Sequence, residues 1–547
     1  MRAETTRQNA AIQTPTAFRA AHRFVQAEDG NMTIFSALMI VLMLTITGAS
    51  VDIMRQEAVR ADLQGTVDRA VLAAADLEQA QLPADVVADY IAKAGMSDAL
   101  SSVTVDEGLN YRVVRAEGAQ ELDTFFLRMS GYDTLTAPAA ATAEEKVSNV
   151  EISLVLDVSG SMRNTRIANL KTAATSFIST VIQPDGSPGK TTVSIVPYSA
   201  TVNVGSTLAP YFNLEETHDY SACATFPSAA FDTTALDPAA QLSRLDHFDP
   251  WSSWTTTNGR LPEPWCREGD DLAITVHGDN AVDLTAEITA LRAYGNTATD
   301  LGMKWGVALL DPAMQPLVAA LAADSVVAAD VADRPAAYDD REALKFIVVM
   351  TDGENTEQYE LKSAFDGMSD IWIDDRGNTN PADDRFSLRV TDNYGTSNDE
   401  FFWKRYQNYS WRYRYRNRPD GGWDYARQMT WPEVFARFPT EGLAWMMYDR
   451  PWWDYQITTS EWDSIVNAYR VDVDGPTAND RLSRICAAAR DKGIVVFAIG
   501  FEAPPVGQTA MKDCASSPSH YFNVTGVDIT ETFHAIARQI NSLRLTE

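Results

Sequence analysis

At 547 residues the chain is longer than one ordinary core organises, and at roughly 150 residues per domain it holds about two to four units. Its 45% hydrophobic and 22% charged residues exclude a largely disordered chain. A formal charge of -30 excludes a general phosphate-binding surface, which needs Lys and Arg, and makes cations the expected small partners rather than nucleic acid.

The N-terminal tail, residues 1–31, carries Arg2, Arg7, Arg19 and Arg23. Residues 32–51, MTIFSALMIVLMLTITGASV, contain no charge. A helix of that length, rising about 1.5 Å per residue, matches the roughly 30 Å of hydrocarbon in a bilayer. The run predicts a single-pass transmembrane helix, and the positive-inside tendency predicts a cytoplasmic tail with everything from Asp52 onward outside. A cleaved signal peptide is the competing reading, but the run is long for one and no convincing small-x-small site follows it.

Residues 52–146 predict a stalk. DIMRQEAVRADLQGTVDRAVLAAADLEQA lacks Pro and places Leu63, Val67, Ala70, Val71 and Ala74 on one helical face. From Ser101 to about Thr142 the pattern alternates in strand fashion, in SVTV, YRVVRA and DTFFLRM, so a helix and a small sheet are expected together. APAAATAEEK at 137–146 reads as a linker, and a second domain occupies 147–547.

That domain opens on ISLVL, a buried-strand pattern, followed by a helix from Arg166 to Ile182 and the strand TTVSIVPY. Strand ALKFIVVMTDG, helix DRLSRICAAARDKG, strand IVVFAIGF and a last helix from about Thr530 to Leu545 come later. Strands alternating with helices predict an α/β fold, doubly wound and Rossmann-like, with a mostly parallel sheet covered on both faces. Two stretches, about 211–283 and 357–474, break the rhythm and read as insertions from one edge of the sheet. The second holds nine of the 13 Trp, which either build its own core or present rings to a glycan or protein.

The four cysteines fit an oxidising compartment. Joining each to its neighbour, Cys223 to Cys266 and Cys486 to Cys514, is the simplest pairing, although three connectivities are open to sequence alone. No CxxC spacing favours zinc.

The chemistry concentrates in VLDVSGSM, where Asp157, Ser159 and Ser161 form Asp-x-Ser-x-Ser between a predicted central strand and a helix. Ligands of doubly wound folds bind at such strand ends, and hard divalent cations take carboxylate and hydroxyl oxygens. Asp352 in FIVVMTDGEN ends a second strand, and YGNTATDLGMKWG offers Thr297, with Thr299 as its rival.

In chain order Asp-x-Ser-x-Ser, then Gly-x-Thr at Gly295–Thr297, then Thr-Asp-Gly at Thr351–Gly353, these three pieces resemble the metal-ion-dependent adhesion site (MIDAS) of von Willebrand factor A (VWA) domains. The resemblance implies that Ser159 and Ser161 hold the metal directly, Thr297 directly or through water, and Asp157 and Asp352 largely through water. It implies Mg²⁺ as the usual cofactor, with Mn²⁺ or Ca²⁺ as alternatives, and an acidic partner residue completing the shell. GNMTIFSALMIVLMLTITGASVDIMRQ and CASSPSHYFNVTGVDITETFHAIARQINSLRL resemble the two ends of TadG-like proteins, whose N-terminal anchor is of the TadE/TadG type. That resemblance implies an inner-membrane protein with its bulk in the periplasm, assembling or anchoring a Tad/Flp-type adhesion pilus through protein partners. Phe35 stands where prepilin processing at Gly30 would need Glu, so cleavage there is not expected.

Other signals carry less. Gly189, Lys190 and Thr191 end PDGSPGKTT like a phosphate-binding loop, but Pro184 replaces the first Gly and a strand follows, so a turn and no nucleotide are expected. DDRGNTNPADDR and VDVDG lack EF-hand spacing and read as solvated loops. Neither HExxH nor GxSxG occurs, and His520 and His534 read as structural or surface residues. The expected role is therefore binding rather than catalysis, with an envelope metal-dependent hydrolase and a surface adhesin as the rival readings.

Overall fold

A computed structural model describes residues 29–76, 79, 81–107, 111–146, 148–183, 189–254, 259–390 and 400–546. Nearly all of the expected tail and most of the turn at Pro184–Thr191 lie outside these residues. The chain divides into two compact units, Met1–Glu145 and Lys146–Glu547.

The first unit is built on one long helix, α1 (Asp29–Ala75), which is long and apolar enough to cross a membrane. Its apolar side chains from Met32 to Met54 are largely exposed. Farther along, Leu63, Val67, Ala70, Val71 and Ala74 are buried against Val86, Val87 and Ile91 of α2 (Pro83–Lys93) and a three-stranded sheet. The sheet is β1 (Leu100–Glu107), β2 (Tyr111–Asp123) and β3 (Thr134–Lys146), in that order.

Two local expectations need correction. APAAATAEEK is not a linker but most of β3, where Ala137, Ala139 and Ala143 alternate inward. Small side chains let a strand lie flat against helices, and Ala carries little β signal of its own. DTFFLRM is not a strand, because β2 stops at Asp123 and a short 3₁₀ turn, Leu127–Ser130, follows. The carboxylate of Asp52 takes the backbone N–H groups of Phe125, Phe126 and Leu127 that a ladder would otherwise use.

The second unit is the expected α/β fold. Its six-stranded sheet has the order β9-β8-β7-β4-β5-β6, with β4 (Asn149–Asp157), β5 (Thr191–Tyr198), β6 (Thr275–Gly278), β7 (Ala343–Thr351), β8 (Val495–Phe501) and β9 (Tyr521–Val524). All pairings are parallel except that of β6 on β5. Residues of β5 are buried throughout, and those of β4 almost so, as helices on both faces require. One face carries α3 (Thr165–Val181), α4 (Ala281–Ala290) and α8 (Asp528–Thr546), with Phe177 meeting Phe533 edge to face. The other carries α5 (Thr299–Ala308), α6 (Gly475–Asp491) and α7 (Pro505–Cys514).

The first irregular stretch ends earlier than about 283, because β6 at 275–278 belongs to the main sheet. That edge strand makes only two registered pairs with β5, too few to show a period in sequence. Nor do both stretches leave from one edge, since the second follows β7, an interior strand. Both end in a shared core: Leu245, Phe248 and Trp265 of the first pack with Leu361, Ile371, Met429 and Phe435 of the second. Phe248 stacks on Tyr469, and Trp265 lies against Tyr359. The second stretch adds a five-stranded antiparallel sheet. Trp403 and Trp431 are buried, whereas Trp423, Trp445 and Trp453 stay exposed. Disulfides join Cys223 to Cys266 and Cys486 to Cys514.

At the opposite end of β4 from Asp157, Glu151 is fully buried, with Lys345 Nζ at 2.6 Å and Arg334 Nη1 at 3.2 Å. Removing one member of such a group strands the others without a counter-charge. Glu151→Ala is expected to cost about 3–5 kcal/mol in urea unfolding. A loss under about 1 kcal/mol, the range of an exposed ion pair, would contradict this assignment.

Candidate functional site

The carboxyl ends of β4 and β7 lie side by side, in register up to Leu156 opposite Met350. The chain leaves β4 toward β5 on one side and returns in β7 on the other, so this is a topological switch point of the sheet. Asp157 and Asp352 are the residues at or just past these two ends.

Asp157 is fully buried and is held from two directions. Its Oδ1 accepts the Ser159 N–H at 2.8 Å, and its Oδ2 accepts the Thr351 hydroxyl at 2.7 Å. Ser161 Oγ donates to Asp352 Oδ1 at 2.5 Å, which leaves the Ser159 hydroxyl to donate to Ser161 Oγ at 2.9 Å. Four of the five motif residues therefore form one chain of short contacts. Ser159 and Asp352 are buried and Ser161 is exposed, so the group opens to solvent at the Ser161 side.

Thr297 comes from the loop before α5. That loop is pinned to the first by Gly160 N–H donating to Gly295 O at 2.8 Å, an approach that a side chain at Gly160 would crowd. Gly295 adopts φ +74°, which favours glycine. Thr297 N–H donates to Thr356 Oγ1, and Thr356 N–H donates back to Thr297 O, both at 2.9 Å. A Cβ placed on Gly353 would lie 3.6 Å from Thr297 Oγ1 and 3.8 Å from Ser161 Oγ, so both hydroxyls border the same space beside Gly353. Thr299 faces elsewhere, its Oγ1 lying 3.3 Å from the buried Tyr198 hydroxyl, which donates to Met350 O.

Electrostatically the site is short of positive charge. Burial, and then the neighbouring charge of Asp352, push the Asp157 carboxyl up to about 6. Arg166 on α3 relieves one side: its Nη1 donates to Asp352 Oδ2 at 2.7 Å and its Nε to Glu502 Oε2 at 2.8 Å. Glu502 is itself fixed by the Gly526 N–H. Arg166, Glu502 and Thr356 escape a motif reading because they sit outside the three short patterns, and only tertiary pairing brings them in; Thr351 stands inside the third pattern, but its bond to Asp157 shows only in the fold.

The donor set is three hydroxyls and two carboxylates, all oxygen, around a space next to a buried carboxylate pair. That chemistry fits a hard divalent cation. Among the described residues no group of three or more His, Cys, Asp or Glu is arranged to hold a metal, so any cation here would depend on the hydroxyls.

His520 and His534 bond Ser517 and Ser176, away from this site. A serine, histidine and carboxylate do meet elsewhere, at Ser221, His247 and Glu268. There the Ser221 and His247 side chains are buried, which leaves that hydroxyl no open face for a substrate.

The family model described as "Putative Flp pilus-assembly TadE/G-like" matches residues 30–77. No curated protein matches the chain. Among solved structures, similarity extends to the vWF domain of the type V pili tip protein Mfa5 from Porphyromonas gingivalis, with 15% identity and a TM-score of 0.32 over 73% of this chain and 98% of that one. The pilus adhesin SpaC from Lactobacillus rhamnosus GG, in its open conformation, matches at 13% identity and TM-score 0.30, covering 81% of this chain and 33% of that one. The PilB minor pilin from Streptococcus sanguinis matches at 13% identity and TM-score 0.28, covering 81% and 78%. These likenesses are too remote to bear on function.

With a chelator present, Arg166→Ala is expected to lower stability by about 1–3 kcal/mol, because the buried Asp352 oxygen loses a charged donor. Arg166→Lys should recover part of the loss. Denaturant melts of the three proteins check this, and equal midpoints would show that the guanidinium does not balance the carboxylate pair.

Proposed function

We propose that this chain is a TadG-like protein of Tad/Flp-type pilus assembly, anchored in the inner membrane by residues 32–51 with its bulk in the periplasm. Its second unit, of VWA type, grips a protein partner through a divalent cation. Mg²⁺ is the expected occupant, with Mn²⁺ or Ca²⁺ as alternatives. Ser159, Ser161 and Thr297 would supply hydroxyl oxygens, and Asp157 and Asp352 the negative charge.

The observation that carries this reading is that Asp157, Ser159, Ser161 and Asp352 form one bonded chain at a switch point, with the Thr297 and Ser161 hydroxyls bordering the same space beside Gly353. A bound cation of this kind offers vacant coordination positions to an outside carboxylate. The protein's own residues do the rest: Asp157 orders the serine loop through Ser159 N–H, Ser161 presents its oxygen at the open side, and Arg166 neutralises the far oxygen of Asp352. The match at residues 30–77 supports the pilus context and the anchor. A role in binding needs no general base, and no histidine stands in the loops that form the site.

Titration of detergent-solubilised protein with Mg²⁺ and Mn²⁺ in a calorimeter should show binding in the wild type. Asp157→Ala and Ser161→Ala should lose it while keeping a cooperative melt. Folded variants that bind as well as the wild type would move the metal, if any, to another place.

A further inference from the structure

The last apolar turns of α1 touch the loop between β2 and β3. Phe126 lies against Gly48, where an added Cβ would collide with its ring, and Gly48 is buried within a largely exposed run. Four residues on, the Asp52 carboxylate accepts three loop N–H groups, from Phe125 at 3.1 Å and from Phe126 and Leu127 at 2.8 Å. Thr124 closes the loop by donating its hydroxyl to Tyr132 O and its N–H to Asp133 O. The loop is thus locked to the helix where the apolar run ends. So held, it exposes Phe125 (65%), Phe126 (40%), Met129 (75%) and Tyr132 (63%).

We propose that the loop Thr124–Tyr132 is a second membrane contact, an aromatic anchor lying in the headgroup region of the leaflet from which α1 emerges. This rests on reading residues 32–51 as a membrane span. Gly48 lies three residues inside Val51, about 4.5 Å along the helix axis. A ring that touches Gly48 therefore cannot stand clear of a bilayer covering the run to Val51.

The chemistry of the loop suits that depth. Aromatic rings gather at membrane interfaces, where one end is apolar and the other wet. Unsatisfied backbone donors are excluded near hydrocarbon, and the Asp52 carboxylate satisfies three of them. Arg55 lies over the Phe125 ring at 4.7 Å and donates to Asp123 O at 3.0 Å, and Arg128 is exposed; both sit where long basic side chains reach headgroups. The exposed surface of the loop continues the exposed surface of α1 between Met32 and Val51, which makes lipid the occupant. Contact at two places around the helix would fix the rotation and tilt of α1, and with them the direction in which the first unit projects.

Because all four native cysteines are in disulfides, a nitroxide can be placed on one introduced cysteine at a time. The full chain would be reconstituted in phosphatidylethanolamine and phosphatidylglycerol vesicles with labels at Met129→Cys, Ile40→Cys or Thr104→Cys. Collision with oxygen is then compared with collision with a water-soluble nickel complex. The expected oxygen-to-nickel ratio is highest at residue 40 and several-fold higher at residue 129 than at residue 104. A label at 129 that matches 104 while 40 is shielded overturns the loop anchor alone. A nickel-accessible label at 40 overturns the span and the anchor with it. Dipolar broadening at 129 with both collisions suppressed assigns the surface to a second copy of the chain and also overturns the proposal.

Discussion

The parallel pairing of β4 with β7 is the constraint on which the rest of the second unit depends. It sets Asp157 beside Thr351, 194 positions away in sequence, and so brings Asp352 to the same buried end of the sheet. Burial, and then the charge of Asp352 in the same desolvated space, raise the pKa of Asp157. The groups nearby offset both effects. Thr351 and the Ser159 N–H donate to one carboxylate, Ser161 and Arg166 to the other. The cation we propose completes the same neutralisation from the solvent side.

The irregular parts of the unit are arranged around this end of the sheet. The chain between β5 and β6 and that between β7 and α6 fold onto a common core rich in aromatic rings. Joining them in this way packs parts of two long excursions into one body, while Leu208, Phe212, Phe226 and Phe231 of the first also pack on the main core. The disulfide from Cys223 to Cys266 closes a loop within the first, and that from Cys486 to Cys514 ties α6 to α7. Close approach matters here too, since a Cβ at Gly507 on α7 would collide with the Gly353 carbonyl.

Much of the fold was legible because parallel strands buried on both faces read as apolar runs, and ISLVL and FIVVM are such runs. Asp-x-Ser-x-Ser was legible because its residues act within one turn of chain. Arg166 was not, since an arginine early in a helix carries no mark of the carboxylate it will meet from β7. The strand at 134–146 hid behind alanines, whose alternation is visible only once the helix they pack on is known. The turn after Asp123 hid for the opposite reason: Thr124–Met129 has strand-like composition, and a carboxylate from α1 removes its ladder donors. The edge strand at 275–278 was too short to have a period. The Trp-rich stretch packs on rings from a distant segment, Phe248 on Tyr469 and Trp265 on Tyr359, which no local pattern encodes.

In the proposed site the hydroxyls of Ser159, Ser161 and Thr297 would face a divalent cation. Anomalous diffraction from crystals grown with Mn²⁺ tests it most directly. The account predicts one strong peak within about 2.2 Å of the Ser159 and Ser161 oxygens, a spacing typical of oxygen-ligated Mg²⁺ and its mimics. A map with no peak there, or with its only peak in the acidic loops of the second insertion, would contradict it.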